Sequence, residues 1–331
     1  MSFRILPALV ENETLKVLRR RRFRIVLLVL VAILSAVTFA QSRQRRAAKS
    51  EDSSDWRPRV EKRAAELDRR MKERRIPEGF KRWMSYESGR LKYHLEKGID
   101  PDSLTGPSFT RSFAGVGSVL LIPLLVAVIG ADIVSTEFVE GTVTLLLTRP
   151  VARWKILLGK LLTMGLFIGL TLALAAVLSW GISGLAFGWK GWGAPMLTGF
   201  RSGGGAFDTS AVRVVPLWQD TVAAYGLAWF SALCVGAMTF LLSVLLRSTA
   251  AAMGTMMATL VGGTILSRVA SDWDFAKWFF VTNLPLPDFY AGMPAPFAGM
   301  TLAFSAKVLG AWAAAAVALA FVVFVKRDVT N

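Results

Sequence analysis

Six long apolar runs restrict this chain more than any other feature. They cover about 23–40, 113–133, 156–187, 221–246, 250–266 and 302–325. A bilayer core asks for about 20 apolar residues of helix. Inside it, every backbone N–H and C=O must find its partner within the segment. Runs of this length, in a chain that is 53% hydrophobic, predict an all-α integral membrane protein with six transmembrane helices. The run at 156–187 exceeds what a bilayer needs and is expected to tilt or protrude.

Six spans put both termini on one side, and the distribution of bases chooses that side. The arginines at 19–22 and 24, then Arg149, Arg153 and Lys155, then Arg247, Lys326 and Arg327 fall together. Lys190, Arg201, Arg213, Arg268 and Lys277 are spread more thinly opposite them. Both termini are therefore expected in the cytoplasm, against the contrary signal of Arg43, Arg45 and Arg46. The formal charge of +16 reads as contact with lipid headgroups rather than with nucleic acid, because the bases flank apolar runs.

Residues 1–22 read as a cytoplasmic amphipathic lead-in, with Leu6, Leu9, Val10, Val17 and Leu18 near one helical face and Glu11, Glu13 and Lys16 off it. It is either a helix on the membrane surface or the polar start of the first span. Residues 41–112 form an extracytoplasmic loop with nineteen Lys/Arg and twelve Asp/Glu, long enough to cross regardless of charge. Trp56, Val60, Ala64, Leu67 and Met71, and after Pro77–Gly79 the set Phe80, Met84, Leu91 and Leu95, recur at helical spacing. A helical hairpin and a solvated linker both fit. The loops at 188–220 and 267–301 also fall outside, and the aromatic and proline content of 269–300 suits a re-entrant or interfacial piece.

Chemistry at neutral pH has few carriers here. No phosphate loop is present, so the chain is not expected to hydrolyse ATP itself, and no metal set or nucleophile–base pair is apparent. Cys234 reads as a small buried hydrophobe and His94 as a solvated surface residue. Charges are scarce deep in the runs: Asp132 and Lys160 fall near the inner boundary, Asp220 and Lys307 near the outer one. Ser179, Ser183, Ser231, Thr239 and Ser243 either line a pathway or pack helices together.

The segment 134–155 is the exception, polar and compact between two apolar runs. Ser135 or Thr136 offers a cap for a new helix, and Glu137 and Glu140 fall in its first turns, where the helix dipole favours acids. Gly141 permits a bend, and Pro150 ends the helix. The product is a short cytoplasmic amphipathic helix, suited either to a groove on a partner or to the membrane surface.

The stretch GADIVSTEFVEGTVTLLLTRPVARWKILLGK, from Gly130 to Lys160, resembles the signature of ABC-2 type permeases, the membrane subunits of ATP-binding-cassette transporters. Its pattern E-x-x-x-G-T-x-x-x-L-L-x-x-P-[VI]-x-R-x-x-x-x-x-x-K is met by Glu137, Gly141, Thr142, Leu146, Leu147, Pro150, Val151, Arg153 and Lys160. The remainder of the chain resembles that family more loosely, and the large loop at 41–112 departs from its smallest members.

The resemblance implies that 134–155 is a coupling helix against a separate ATPase subunit, which binds the ATP and Mg that this chain does not. Glu137, Glu140, Gly141, Thr142, Leu145 and Leu146 would form the contact, and Arg149, Pro150, Arg153 and Lys160 would anchor the segment. It further implies a two-plus-two complex with a second permease subunit, a homodimer, embedded in the lipids of a prokaryotic cytoplasmic membrane. Two other readings stay open: a membrane scaffold or sensor signalling through 41–112, and a secondary transporter, which would need an ionisable group at mid-depth.

Overall fold

A computed structural model describes residues 5–19, 21–50, 55–73, 78–141, 151–203, 206–246, 248–269, 273–297 and 299–326. Its helices are α1 (Ile5–Arg19), α2 (Arg21–Ser50), α3 (Arg57–Met71), α4 (Glu78–Lys97), α5 (Gly106–Val119), α6 (Leu121–Val139), α7 (Arg153–Phe187), α8 (Leu217–Leu245), α9 (Thr249–Val269), α10 (Leu286–Ala291) and α11 (Leu302–Lys326). Five segments are long and apolar enough to cross a membrane: Arg21–Arg45, Arg153–Phe187, Leu217–Leu245, Thr249–Ser267 and Leu302–Lys326. A sixth is available if α5 and α6, which bend by 58° at their junction, count together. The chain has the make-up of a helical membrane protein.

That bend differs from the single run expected at 113–133. Pro123 supplies the reason. It has no N–H, and its ring clashes with the carbonyl four residues back, which belongs to Val119, the last residue of α5. The helix begins earlier than expected, where Thr105 and Ser108 form a reciprocal cap: Ser108 N–H donates to Thr105 Oγ1 at 3.2 Å and Thr105 N–H to Ser108 Oγ at 2.8 Å.

The main core lies between α6, α7, α8, α9 and α11. Val126, Ala127, Leu157, Met164, Ile168, Val235, Phe240, Met256 and Leu309 are buried in it. A second cluster packs α2 (Val26, Leu30, Leu34) on Phe109, Phe113 and Phe167. Cys234 is buried in the main core, as a small hydrophobe should be.

Helices α3 and α4 pack together as a hairpin and are not a linker. Val60, Ala64 and Leu91 form its core, with Trp56, Leu67 and Leu95 against them. The loop after α7 is not irregular throughout: β1 (Pro195–Thr198) pairs antiparallel with β4 (Arg213–Pro216), and β2 (Arg201–Gly203) with β3 (Ala206–Asp208). Phe200 and Phe207 of this ribbon meet Tyr86 of α4 edge-on, at 6.3 and 5.7 Å. His94 is buried here rather than solvated. Its Nδ1–H donates to the Ile99 carbonyl at 3.0 Å. Residues 273–297 contain two short 3-10 turns, Asp274–Trp278 and Val281–Asn283, and then α10.

A buried ion cluster beneath the candidate coupling segment

Ser135 and Thr136 do not start a new helix. Both lie inside α6, which runs on to Val139. Their hydroxyls bond back to their own helix, Ser135 to the Ala131 carbonyl and Thr136 to that of Asp132, as hydroxyls in helix interiors do. The cause is burial. Ser135 is 0% exposed and its hydroxyl pairs with Thr249 Oγ1 at 2.8 Å, so this turn has a packed environment that holds it helical.

One turn further, Glu137 points inward, although an exposed acid was expected. Lys160 Nζ, 1% exposed, donates to Glu137 Oε1 at 2.7 Å, to Glu13 Oε2 at 2.8 Å and to the Ile133 carbonyl at 3.0 Å. All three ammonium hydrogens are thereby used. Lys16 Nζ completes the group, 2.7 Å from Glu13 Oε1 and 3.1 Å from Glu137 Oε1. Two acids and two bases thus sum to zero charge in one cluster joining α1, α6 and α7. Burial alone would push the Glu13 carboxyl up, but Lys160 and Lys16 outweigh it and hold it below the usual carboxylate range. A second pair, Arg22 with Asp132, ties α2 to α6 alongside.

α1 is therefore bound to the helical body, and one face carries both kinds of contact: Glu13 and Lys16 in the ion cluster, Leu9 against Gly159 of α7 and Val17 against the second apolar cluster. Glu13, set apart from the apolar residues in sequence, shares their inward face, one helical step from Leu9 and from Val17, while Glu11 stays exposed. Close approach depends on Gly159: a β-carbon there would stand 3.1 Å from Leu9 Cβ, tighter than ordinary contact. The outer face of α1 keeps Leu15 and Leu18 exposed.

The other candidate residues divide by position. Glu140 and Gly141 are exposed beyond the end of α6, and Gly141 has φ +68°, the left-handed turn for which glycine suits a helix end. Arg153 opens α7, and its Nη1 donates to the Val325 carbonyl at 3.4 Å, near the last turn of α11. Thr142, Leu145, Leu146, Arg149 and Pro150 lie outside the described residues.

The small polar residues donate to backbone carbonyls, some across elements and some within their own helix. Ser183 donates to the Gly106 carbonyl at 3.1 Å, Ser231 to Leu284 at 2.9 Å, and Thr239 to Val235 in its own helix at 2.8 Å. Ser179 donates to the Ala176 carbonyl at 2.9 Å. At the far end of α8 a charged pair escaped sequence reading. Arg111 of α5 bonds Asp220, both of them buried, and Asp220 Oδ1 has no hydrogen-bond partner among the described residues. The available signal was a lone arginine just ahead of an apolar run, with an acid likewise ahead of another. Among the described residues no three His, Cys, Asp or Glu side chains are placed to hold a metal ion.

The family described as "Protein of unknown function (DUF2705)" matches residues 82–330, about three quarters of the chain. Two Bacillus subtilis (strain 168) proteins are similar along most of their lengths. The first, "Uncharacterized protein YhcI", is 30% identical over 98% of this chain and 99% of its own. The second, "Uncharacterized membrane protein YdbK", is 28% identical over 71% of this chain and 87% of its own. The chain belongs to the DUF2705 family.

Proposed function

We propose that this DUF2705 protein is the membrane subunit of an ATP-driven exporter, working with a separate ATP-binding-cassette ATPase. In this reading it sits as a homodimer in a prokaryotic cytoplasmic membrane, with both termini inside and the α3–α4 hairpin outside. One observation carries the reading. The segment whose pattern resembles the permease signature follows α6 and precedes α7, and Glu137 in the last turn of α6 meets Lys160 of α7 at 2.7 Å in the buried cluster. A push on the segment from a soluble partner therefore has a rigid base, from which it reaches α1, α6 and α7 together.

Burial reassigns the roles within the segment. Glu137 and Lys160 are positioning residues, since their charges are already paired. The partner-facing acid is Glu140, exposed at the end of α6. Leu145 and Leu146 fill the partner's groove, and Arg149 and Arg153 hold the segment at the headgroups.

Gentle detergent extraction of the tagged chain from its native cells is expected to retain an ATP-binding-cassette ATPase in equal amount. Glu140→Lys combined with Leu146→Asp should release that ATPase and leave the chain inserted. An intact chain recovered with no ATPase overturns the proposal. Orientation is tested with single cysteines at Lys72 and Glu140, both exposed. Only the first should react with an impermeant maleimide on whole cells.

A second reading, secondary transport, needs an ionisable group at mid-depth, whereas the buried Arg111–Asp220 pair stands at the first turn of α8. It predicts uptake or efflux in proteoliposomes driven by a pH or sodium gradient with no ATPase present.

A further inference from the structure

Above the ion cluster, a side chain from another helix enters the hydrogen-bond ladder of α6. In an unbroken α-helix the N–H of residue 135 bonds the C=O of residue 131. Here the Ser243 hydroxyl stands between them: it accepts from Ser135 N–H at 2.9 Å and donates to the Ala131 carbonyl at 2.9 Å. It also accepts from Val134 N–H at 3.2 Å. One donor and two acceptor sites are thus all used. A hydroxyl inserted in the ladder is among the few established causes of a local bend.

The two sides of this opening are held by different partners. Toward the N-terminus, Ile122, Val126 and Ala127 are in the apolar core. Toward the C-terminus, Glu137 is fixed through Lys160 to α1 and α7. The insertion is clasped by the α8–α9 junction, with Ser243 two residues before the end of α8 and Thr249, the first residue of α9, bonded to Ser135.

We infer that Ser243 makes Ala131–Ser135 a hinge in α6, a positioning device between the apolar body and the turn bearing Glu137. Withdrawing the hydroxyl costs few hydrogen bonds. Ser135 N–H regains Ala131, and Ser243 turns to the carbonyl of Thr239, as Thr239 already does to Val235. Forms of this turn with and without the Ser243 hydroxyl therefore lie close in energy, and a shift of the α8–α9 junction selects between them. The hinge itself is independent of the transport reading. Its role in passing an ATPase's motion into the spans rests on that reading.

The test uses the full chain in nanodiscs, with nitroxides on cysteines replacing Val116 of α5 and Glu140, both exposed and on either side of the opening. Two distance populations are expected. Ser243→Ala should shift their ratio at least about threefold toward one form, and Ser243→Thr, which keeps the hydroxyl, should restore it. Ser243→Cys, similar in size and a poor acceptor, replaces the alanine variant if that fails to fold. Identical distributions in the hydroxyl-bearing and hydroxyl-free chains overturn the hinge. In the complex, Ser243→Ala should retain its ATPase while coupled turnover falls about tenfold. Unchanged turnover with shifted distances would reject the transmission role and leave the hinge. Absence of the ATPase from the wild-type chain instead counts against the transport reading.

Discussion

The two ends of α8 lie beside two buried charge groups built to different standards. Near its C-terminal end, Glu13, Lys16, Glu137 and Lys160 balance to zero, and Lys160 has no unused hydrogen. At its N-terminal end, Arg111 meets Asp220, but Asp220 Oδ1 has no hydrogen-bond partner among the described residues. Asp288 of α10 lies against Gly115, one turn along from Arg111, and burial pushes its carboxyl up despite the guanidinium. The first group is a joint: closed, neutral and shared by three helices. The second leaves an acceptor unsatisfied already, so replacing its acid should disturb less.

Lys160→Met is the hardest test of that contrast. It leaves two buried carboxylates with Lys16 alone, a loss of about 3–5 kcal/mol for a broken buried network. In detergent the variant should melt well below the wild type, and protease should cut α1 first. Adding Glu13→Gln removes one stranded carboxylate and should recover part of the loss, with a coupling of about 0.5–3 kcal/mol. A Lys160→Met chain as stable as the wild type would show that the cluster does not hold α1.

Asp220→Asn comes next. The amide keeps an oxygen toward Arg111 but loses the charge, and a weakened hydrogen bond of this kind costs about 1–3 kcal/mol. If Asp220→Asn melts as low as Lys160→Met, the two ends are equivalent and the comparison fails.

What the sequence made legible follows from the range of the forces involved. Long apolar runs announce spans by length alone, and the hairpin core could be read because Val60, Ala64 and Leu91, with Trp56, Leu67 and Leu95, recur at the helical period. Pro123 was a visible warning that the second run would break. The ion cluster was not readable in this way, since Glu13 and Lys160 are 147 residues apart. Only the lone lysine in an apolar run hinted that it needed a partner. Glu137 had a locally sound reading as a helix-start acid, and it lost to tertiary pairing. The Ser243 insertion left no sequence signal, because a serine that opens a neighbouring helix and one that merely packs look alike.

The smallest effect concerns the hairpin, away from both charge groups. Burial lowers the His94 pKa from its ordinary value, the Ile99 carbonyl pulls the other way, and nearby Arg90 lowers it further. A folded pKa below the unfolded one means that, through the window just under about 6.5, the unfolded chain binds more protons. Stability then rises with pH across that window. Acidification from about pH 7.5 to about 5.5 should therefore loosen the contact between α4 and the ribbon, where His94 tilts against Phe200 at 6.3 Å. Amide exchange at residues 91–97 is the measure: it should quicken modestly in the wild type at the lower pH. In His94→Gln it should keep one protection level at both, after correction for intrinsic exchange. A pH response that survives His94→Gln would have to arise from Glu87, whose carboxyl burial raises but Arg90 and Arg63 hold low. That carboxylate loses its contribution only at more acidic pH, so the position of the transition separates the two groups.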